Sequence, residues 1–120
     1  MTLKHLLDKL HTNLSKIEFN DVQTVINDHY DYQPSKFTNG LSHQAVVNEA
    51  GTNEGSCKIF AFGQLNNLTE EQTLSCFGDY YRLDVLQNPE NDDHQNIRNF
   101  IKDGWAGIEF EDVALTLKTT

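Results

Sequence analysis

A single α+β domain dominated by helices is what this sequence predicts, and three observations carry that expectation. Five segments place apolar residues at helical spacing, whereas strict alternation is confined to short stretches near Tyr30 and after Ile108. The chain has 120 residues, enough to bury one core without staples and too few for two. Polar turn residues are spread between the segments and not gathered into a linker, so residues 1–120 read as one domain. The expected architecture is about five helices with a small antiparallel sheet of roughly two to four strands.

The first helix follows from Leu3, Leu6, Leu7, Leu10 and Leu14, with Thr2 placed to cap it. A second helix is expected from Asn20, where Gln23 completes a capping-box-like pair and Val22, Val25, Ile26 and Tyr30 form the apolar face. Tyr30, Tyr32 and Phe37 flank Pro34 and precede Asn39-Gly40, which predicts a short edge strand running into a turn. Leu41 to Val47 is expected to return as its partner, with His43 on the apolar-leaning face. Ile59, Phe60, Phe62 and Leu65 predict a central helix that is apolar on most sides, reached through Gly55-Ser56-Cys57 with Ser56 as N-cap.

Thr69 and Gln72 form a capping box, and Leu74, Phe77, Gly78 and Tyr81 continue that helical period. In Tyr80-Tyr81-Arg82 one tyrosine reads as core and its neighbour as an exposed edge. After Pro89, Asp92 with Gln95 offers a cap for a helix carrying Ile97, Phe100 and Ile101, and Gly104 is the expected stop. The tail alternates through Ile108, Phe110, Val113, Leu115 and Leu117, predicting short strands that pair with the Tyr30 to Val47 region. Ile17 to Val22 and Ile108 to Val113 differ at one position only. So short an echo reads as coincidence or as two similar strand-to-turn corners, not as a repeat.

Charge narrows the function. With 18 acidic and 9 basic side chains the formal charge is −9, so the field of the chain repels nucleic acid and anionic lipid, and neither is expected as a partner. No apolar run reaches the ~20 residues that cross a bilayer, and the N-terminus lacks the pattern of a secretory signal, so a soluble cytoplasmic chain is expected, with no membrane partner; a monomer is the expected oligomeric state. Cys57 and Cys76 are expected to be reduced thiols, since one bridge is a thin framework and neither sits in a CxxC pair. No dinucleotide-binding, Walker or nucleophile-elbow motif occurs, and no cofactor is expected.

The runs NEAGTNEGSCKIFAF, TLSCFGDYYRLDVL and DDHQNIRNFIKDGWAGIEF, in that order and preceded by YDYQPSKFTNG, resemble the bacterial HopJ type III effector family over nearly the whole chain. The family's name implies delivery into a host cell by a type III secretion system. It brings with it no activity, cofactor or catalytic residue.

Candidate site residues therefore come from the side chains themselves. Cys57, in the first turn of a helix whose dipole favours a thiolate, and His94, beside Asp92 and Asp93, would form a thiol–imidazole pair if their helix starts met. A small cysteine-dependent hydrolase or transferase is the catalytic reading. The binding reading takes Asn48, Glu49, Ser56, Asp93, Asn96, Arg98 and Asn99 as a polar cluster for a small polar ligand or a protein partner, with Trp105 as a lid or a core plug. His43, Glu49, Asp93 and His94 are too scattered to predict a metal site. The binding module is preferred, with its site made by the Asn48 to Cys57 loop and the Asp92 to Asn99 helix start.

Overall fold

A computed structural model of the chain describes residues 1–118. Among the described residues are five α-helices: α1 (Leu3–Thr12), α2 (Phe19–His29), α3 (Glu54–Leu65), α4 (Glu70–Ser75) and α5 (Gln95–Asp103). Five strands of three residues each accompany them: β1 (Tyr30–Tyr32), β2 (Phe37–Asn39), β3 (Val46–Asn48), β4 (Ile108–Phe110) and β5 (Leu115–Leu117). The helix-dominated α+β expectation holds.

Strand β2 is the centre of an antiparallel sheet ordered β3-β2-β4, with Phe37 opposite both Asn48 and Phe110. Strands β1 and β5 form a second antiparallel pair, with Tyr32 opposite Leu115. The tail thus pairs with the tyrosine region as expected. Between the two ladders the connectors remain bonded: Gln33 N–H donates to the Ala114 carbonyl at 2.8 Å, Asp112 N–H to Ser35 Oγ at 3.0 Å and Glu111 N–H to the Lys36 carbonyl at 3.0 Å. Pro34, which has no N–H to give, sits in that break.

The core gathers on α3. Phe60 is fully buried and its ring meets those of Phe37, Phe77, Phe100 and Trp105 at centroid distances of 5.9, 5.5, 4.9 and 6.4 Å. Because α3 buries Cys57, Ile59, Phe60, Ala61, Phe62 and Gly63, it is wrapped by α2, α4 and the sheet, as its lack of a polar face predicts. Leu6 and Leu10 pin α1 to this core, and Thr2 caps α1 by accepting from His5 N–H at 3.0 Å.

Several boundaries differ from the sequence expectations, each for a tertiary reason. Helix α2 starts at Phe19 and not Asn20, and no side chain caps it; Gln23 donates instead to the Gly55 carbonyl of α3 at 3.2 Å. Leu41 to Ala45 is a loop, with Ala45 N–H bonded to the Ser42 carbonyl, so the return strand begins only at Val46 and His43 lies exposed on that loop. The Thr69–Gln72 capping box is present with both of its hydrogen bonds. Helix α4 nevertheless ends at Ser75, because Gly78 takes φ +61° where a Cβ would come within 2.7 Å of Phe19 N. The periodic residues that follow belong to a π-helical segment, Tyr80–Val85. Gly104 stops α5 with φ +61°, as expected. Ile17 to Val22 leads into a helix while Ile108 to Val113 is a strand and turn, so the echo between them is coincidence.

Candidate functional site

The starts of α3 and α5 face each other across a cleft of about 540 Å³. Both helices begin after a non-glycine residue in the left-handed region, Asn53 (φ 48°) and His94 (φ 50°), a conformation with a small steric cost that Asn and His tolerate better than most. Neither side chain caps its own helix. Asn53 reaches back across the turn to donate to Asn48 Oδ1 at 2.7 Å, and His94 Nε2 pairs with Asp84 Oδ2 at 3.0 Å, with Asp93 Oδ2 at 3.8 Å. The segment is therefore held by tertiary contacts.

The walls are mixed. Phe19, Phe77, Tyr80, Val46 and Ile97 give an apolar surface, and Asn53, Ser56, His94, Gln95 and Asn96 give a polar one, with Gly55 between them. No Lys, Arg, Asp or Glu is among the lining residues. Tyr80 is half exposed yet positioned by its neighbours, meeting Phe19 edge-on at 5.1 Å and His94 at 5.3 Å between centroids.

Behind the cleft lies a buried amide network. Asn48 Nδ2 donates to Asn96 Oδ1 at 3.1 Å and Asn96 Nδ2 returns to Asn48 Oδ1 at 2.8 Å. Asn39, wholly buried, donates to the Asn96 carbonyl at 2.8 Å and to Asn96 Oδ1 at 3.0 Å. Asn99 ties the same sheet to α5 by donating to the carbonyls of Asn39 and Gln44, each at 3.1 Å. Every donor in this network is paired, whereas Asn39 Oδ1 is buried without a partner among the described residues; the hydrogen bonds tie β2, β3 and α5 into one geometry.

The site residues expected from sequence divide accordingly. Ser56, His94 and Asn96 line the cleft and Asn48 braces its floor, whereas Asn99 acts only as a tie. Ser56 is not the N-cap of α3; the helix begins at Glu54, and Ser56 stands within the first turn. Cys57 follows but turns away from the cleft: it is buried, and its thiol donates weakly to the Ser35 carbonyl at 3.9 Å. The helix start does not lower its pKa as expected. Burial pushes the thiol up and prevails over the next largest effects, a hydrogen bond with the Ser35 backbone and one with Tyr32, which lower it; Glu54 raises it and Lys58 lowers it by less.

Nor does Asp92 cap α5 with its carboxylate; its carbonyl accepts from Gln95 Nε2. Arg98 organises the loop before α5. Its guanidinium donates to the carbonyls of Asp93 (2.6 Å), Asn88 (3.1 Å), Pro89 (3.4 Å) and Asp84 (3.4 Å), and to Asp93 Oδ1 at 2.6 Å. That last hydrogen bond holds the Asp93 carboxyl below the usual carboxylate range. Glu49 is exposed on the turn before α3, where its carbonyl accepts from Thr52. Trp105 lies elsewhere, wedged against Phe60 and Phe100 with its indole N–H bonded to the Leu68 carbonyl at 3.1 Å. It packs half-buried against the core and not over the cleft.

Sequence reasoning passed over Asn39, Asn53, Phe19, Tyr80 and Asp84 as site residues. Asn39 reads as half of an Asn-Gly turn, and nothing local marks Asp84 as the partner of a histidine ten residues on. The density of asparagines was the one available signal.

Residues 3–115 match the family model described as HopJ type III effector protein. A crystal structure described as that of the unknown function protein VPA0580 shares the fold with a TM-score of 0.92 and 56% sequence identity, covering 98% of this chain and 95% of that one. No curated protein matches the chain.

Proposed function

Because this chain belongs to the HopJ type III effector family, we propose that it is a binding module, delivered into a host as the family name implies, whose ligand site is the cleft between the starts of α3 and α5. The observation that supports this most is the concurrence, in one 540 Å³ cleft, of both left-handed helix starts and an exposed aromatic ring. Left-handed non-glycine residues and π-helical segments carry a local cost and gather at functional sites, and here Asn53, His94 and Tyr80 line one cleft. The amide network behind the cleft supplies preorganisation, since Asn48 and Asn96 hold the two helix starts at a fixed separation.

A cysteine-dependent hydrolase or transferase is less well supported. Its nucleophile would be a buried thiol bonded to the Ser35 carbonyl, and the cleft that His94 lines does not include Cys57. Among the described residues no helix is long and apolar enough to cross a membrane.

The test is an amide NMR titration of the intact chain with a library of small neutral and charged compounds. Responses should concentrate at residues 53–56 and 94–97. Saturable shifts confined to another surface, or none anywhere, would remove the cleft from consideration.

A further inference from the structure

We infer that the cleft takes an uncharged, flat heteroaromatic ring carrying both donors and acceptors on its edge, the chemistry of a nucleobase. The inference rests on the reading of the cleft as a binding site and adds the class of ligand.

Stacking is the first requirement, and Tyr80 meets it. The residue is 45% exposed although the rings of Phe19 and His94 both pack against its own, at 5.1 and 5.3 Å between centroids. An aromatic ring that is held but uncovered is a platform for another flat ring.

The polar edge is the second. Asn53 and Gln95 each donate through the amide nitrogen, to Asn48 Oδ1 and to the Asp92 carbonyl, which leaves both side-chain oxygens free to act as acceptors. The Ser56 hydroxyl has no hydrogen-bond partner among the described residues and can serve in either sense. Two acceptors beside one adaptable hydroxyl match an amino-substituted ring with ring nitrogens, the exocyclic amino group giving to the amide oxygens and a ring nitrogen accepting from the Ser56 hydroxyl.

Charge and floor exclude the neighbouring classes. No Lys or Arg lines the cleft to pair with a phosphate group, and the net charge of −9 opposes an anion at long range, so the uncharged ring is favoured over its phosphorylated form. A sugar would turn hydroxyls toward Val46, Phe77 and Ile97, where they would lose water without gaining partners. A flat ring presents only its polar edge to the rim and its faces to the apolar surfaces.

Amide NMR titrations with adenine, AMP and methyl glucoside, on the wild-type chain and on Tyr80→Leu and Gln95→Ala, test this. Adenine should shift residues 53–56 and 94–97 saturably and bind more tightly than AMP or the glucoside. Tyr80→Leu should weaken it about tenfold, or ~1.4 kcal/mol, and Gln95→Ala, an exposed change that leaves the core intact, should weaken it several-fold. Equal or tighter binding of AMP or methyl glucoside, or adenine binding indifferent to both substitutions, overturns the ligand class. If adenine fails while other library compounds still shift the cleft amides, the nucleobase inference falls and the binding site stands; if nothing shifts them, both fall.

Discussion

Asn48 at the end of β3 and Asn96 in the first turn of α5 are joined by two reciprocal amide hydrogen bonds of 3.1 and 2.8 Å, in a setting where both side chains are buried. This pair ties the sheet to the helix that follows His94. Through Asn53, which donates to the same Asn48 oxygen, it also fixes the start of α3. The cleft owes its shape to one buried contact.

Asn96→Ala should therefore cost more than a surface change. It removes the side-chain acceptor shared by Asn48 Nδ2 and Asn39 Nδ2 in the interior, and an unsatisfied buried donor costs on the order of 1–3 kcal/mol. A chemical-denaturation midpoint within error of wild type would show that the network is not structural. Asn48→Asp supplies the complementary check, because it sets a carboxylate against the Asn96 oxygen and the Phe37 carbonyl. The introduced carboxyl would be raised in pKa by that repulsion, so the variant should be most stable at acid pH and lose stability as pH rises.

Thr69→Ala removes the side chain that accepts from Gln72 N–H at 3.1 Å. A loss of about 1 kcal/mol is expected, the usual cost of an N-cap. Gln72→Ala should cost a similar amount, because it breaks the return bond to Thr69 N–H and a second bond to the Leu10 carbonyl of α1. Thermal or denaturant melts of the two variants measure both.

That capping box also shows which parts of this fold were legible. Thr2, Thr69 and Gly104 mark helix ends by local chemistry, through side chains and backbone angles that need no distant partner. The starts of α3 and α5 were misplaced because Asn53 and His94 direct their side chains to Asn48 and Asp84, partners set by tertiary structure. The break after α4 was hidden for the same reason: the Leu74, Phe77, Tyr81 period continues in sequence, but Gly78 must turn where the chain meets Phe19. Candidate residues fared likewise. Ser56, His94 and Asn96 could be named from their position near helix starts, whereas Cys57, one residue along from Ser56, turns away from the cleft into the core.

Arg98→Lys should not rescue Arg98→Ala. The guanidinium reaches four carbonyls and the Asp93 carboxylate at once, which a single ammonium cannot reproduce. Both variants should lose roughly 1–3 kcal/mol, as expected where hydrogen bonds to a charged group are broken. Proteolysis should then open the connector from Asp84 to Asp93 before the core; wild-type cleavage kinetics in either variant would refute the clamp.

Asp93 gives an acid-side signature. Its carboxyl is depressed, first by the hydrogen bond from Arg98, so it contributes stability that is present above the unfolded value near 3.9 and lost as pH falls through the folded one. Asp93→Asn should remove that part of the acid dependence while leaving the slope near neutrality unchanged. Stability curves between about pH 2 and 5, compared with wild type, read this directly.

The two cysteines decide the catalytic alternative. Cys76 is buried in the turn after α4 and burial pushes its thiol up to about 12, while Cys57 is raised for the same first cause. A thiol raised in the folded state binds its proton more tightly there than in the unfolded chain. Its contribution to stability is therefore full below the unfolded value near 8.5 and is lost as pH climbs through the folded one. Both thiols should resist iodoacetamide at neutral pH until the chain unfolds, since the thiolate is the reacting form and neither sulfur is accessible. Alkylation should track global unfolding across a denaturant series, with one rate for both positions, and His94→Ala should change that rate only as far as it changes stability. A fast, single-site reaction at Cys57 in the folded chain, slowed by His94→Ala without loss of stability, would revive the thiol–imidazole mechanism and displace the binding module as the leading account.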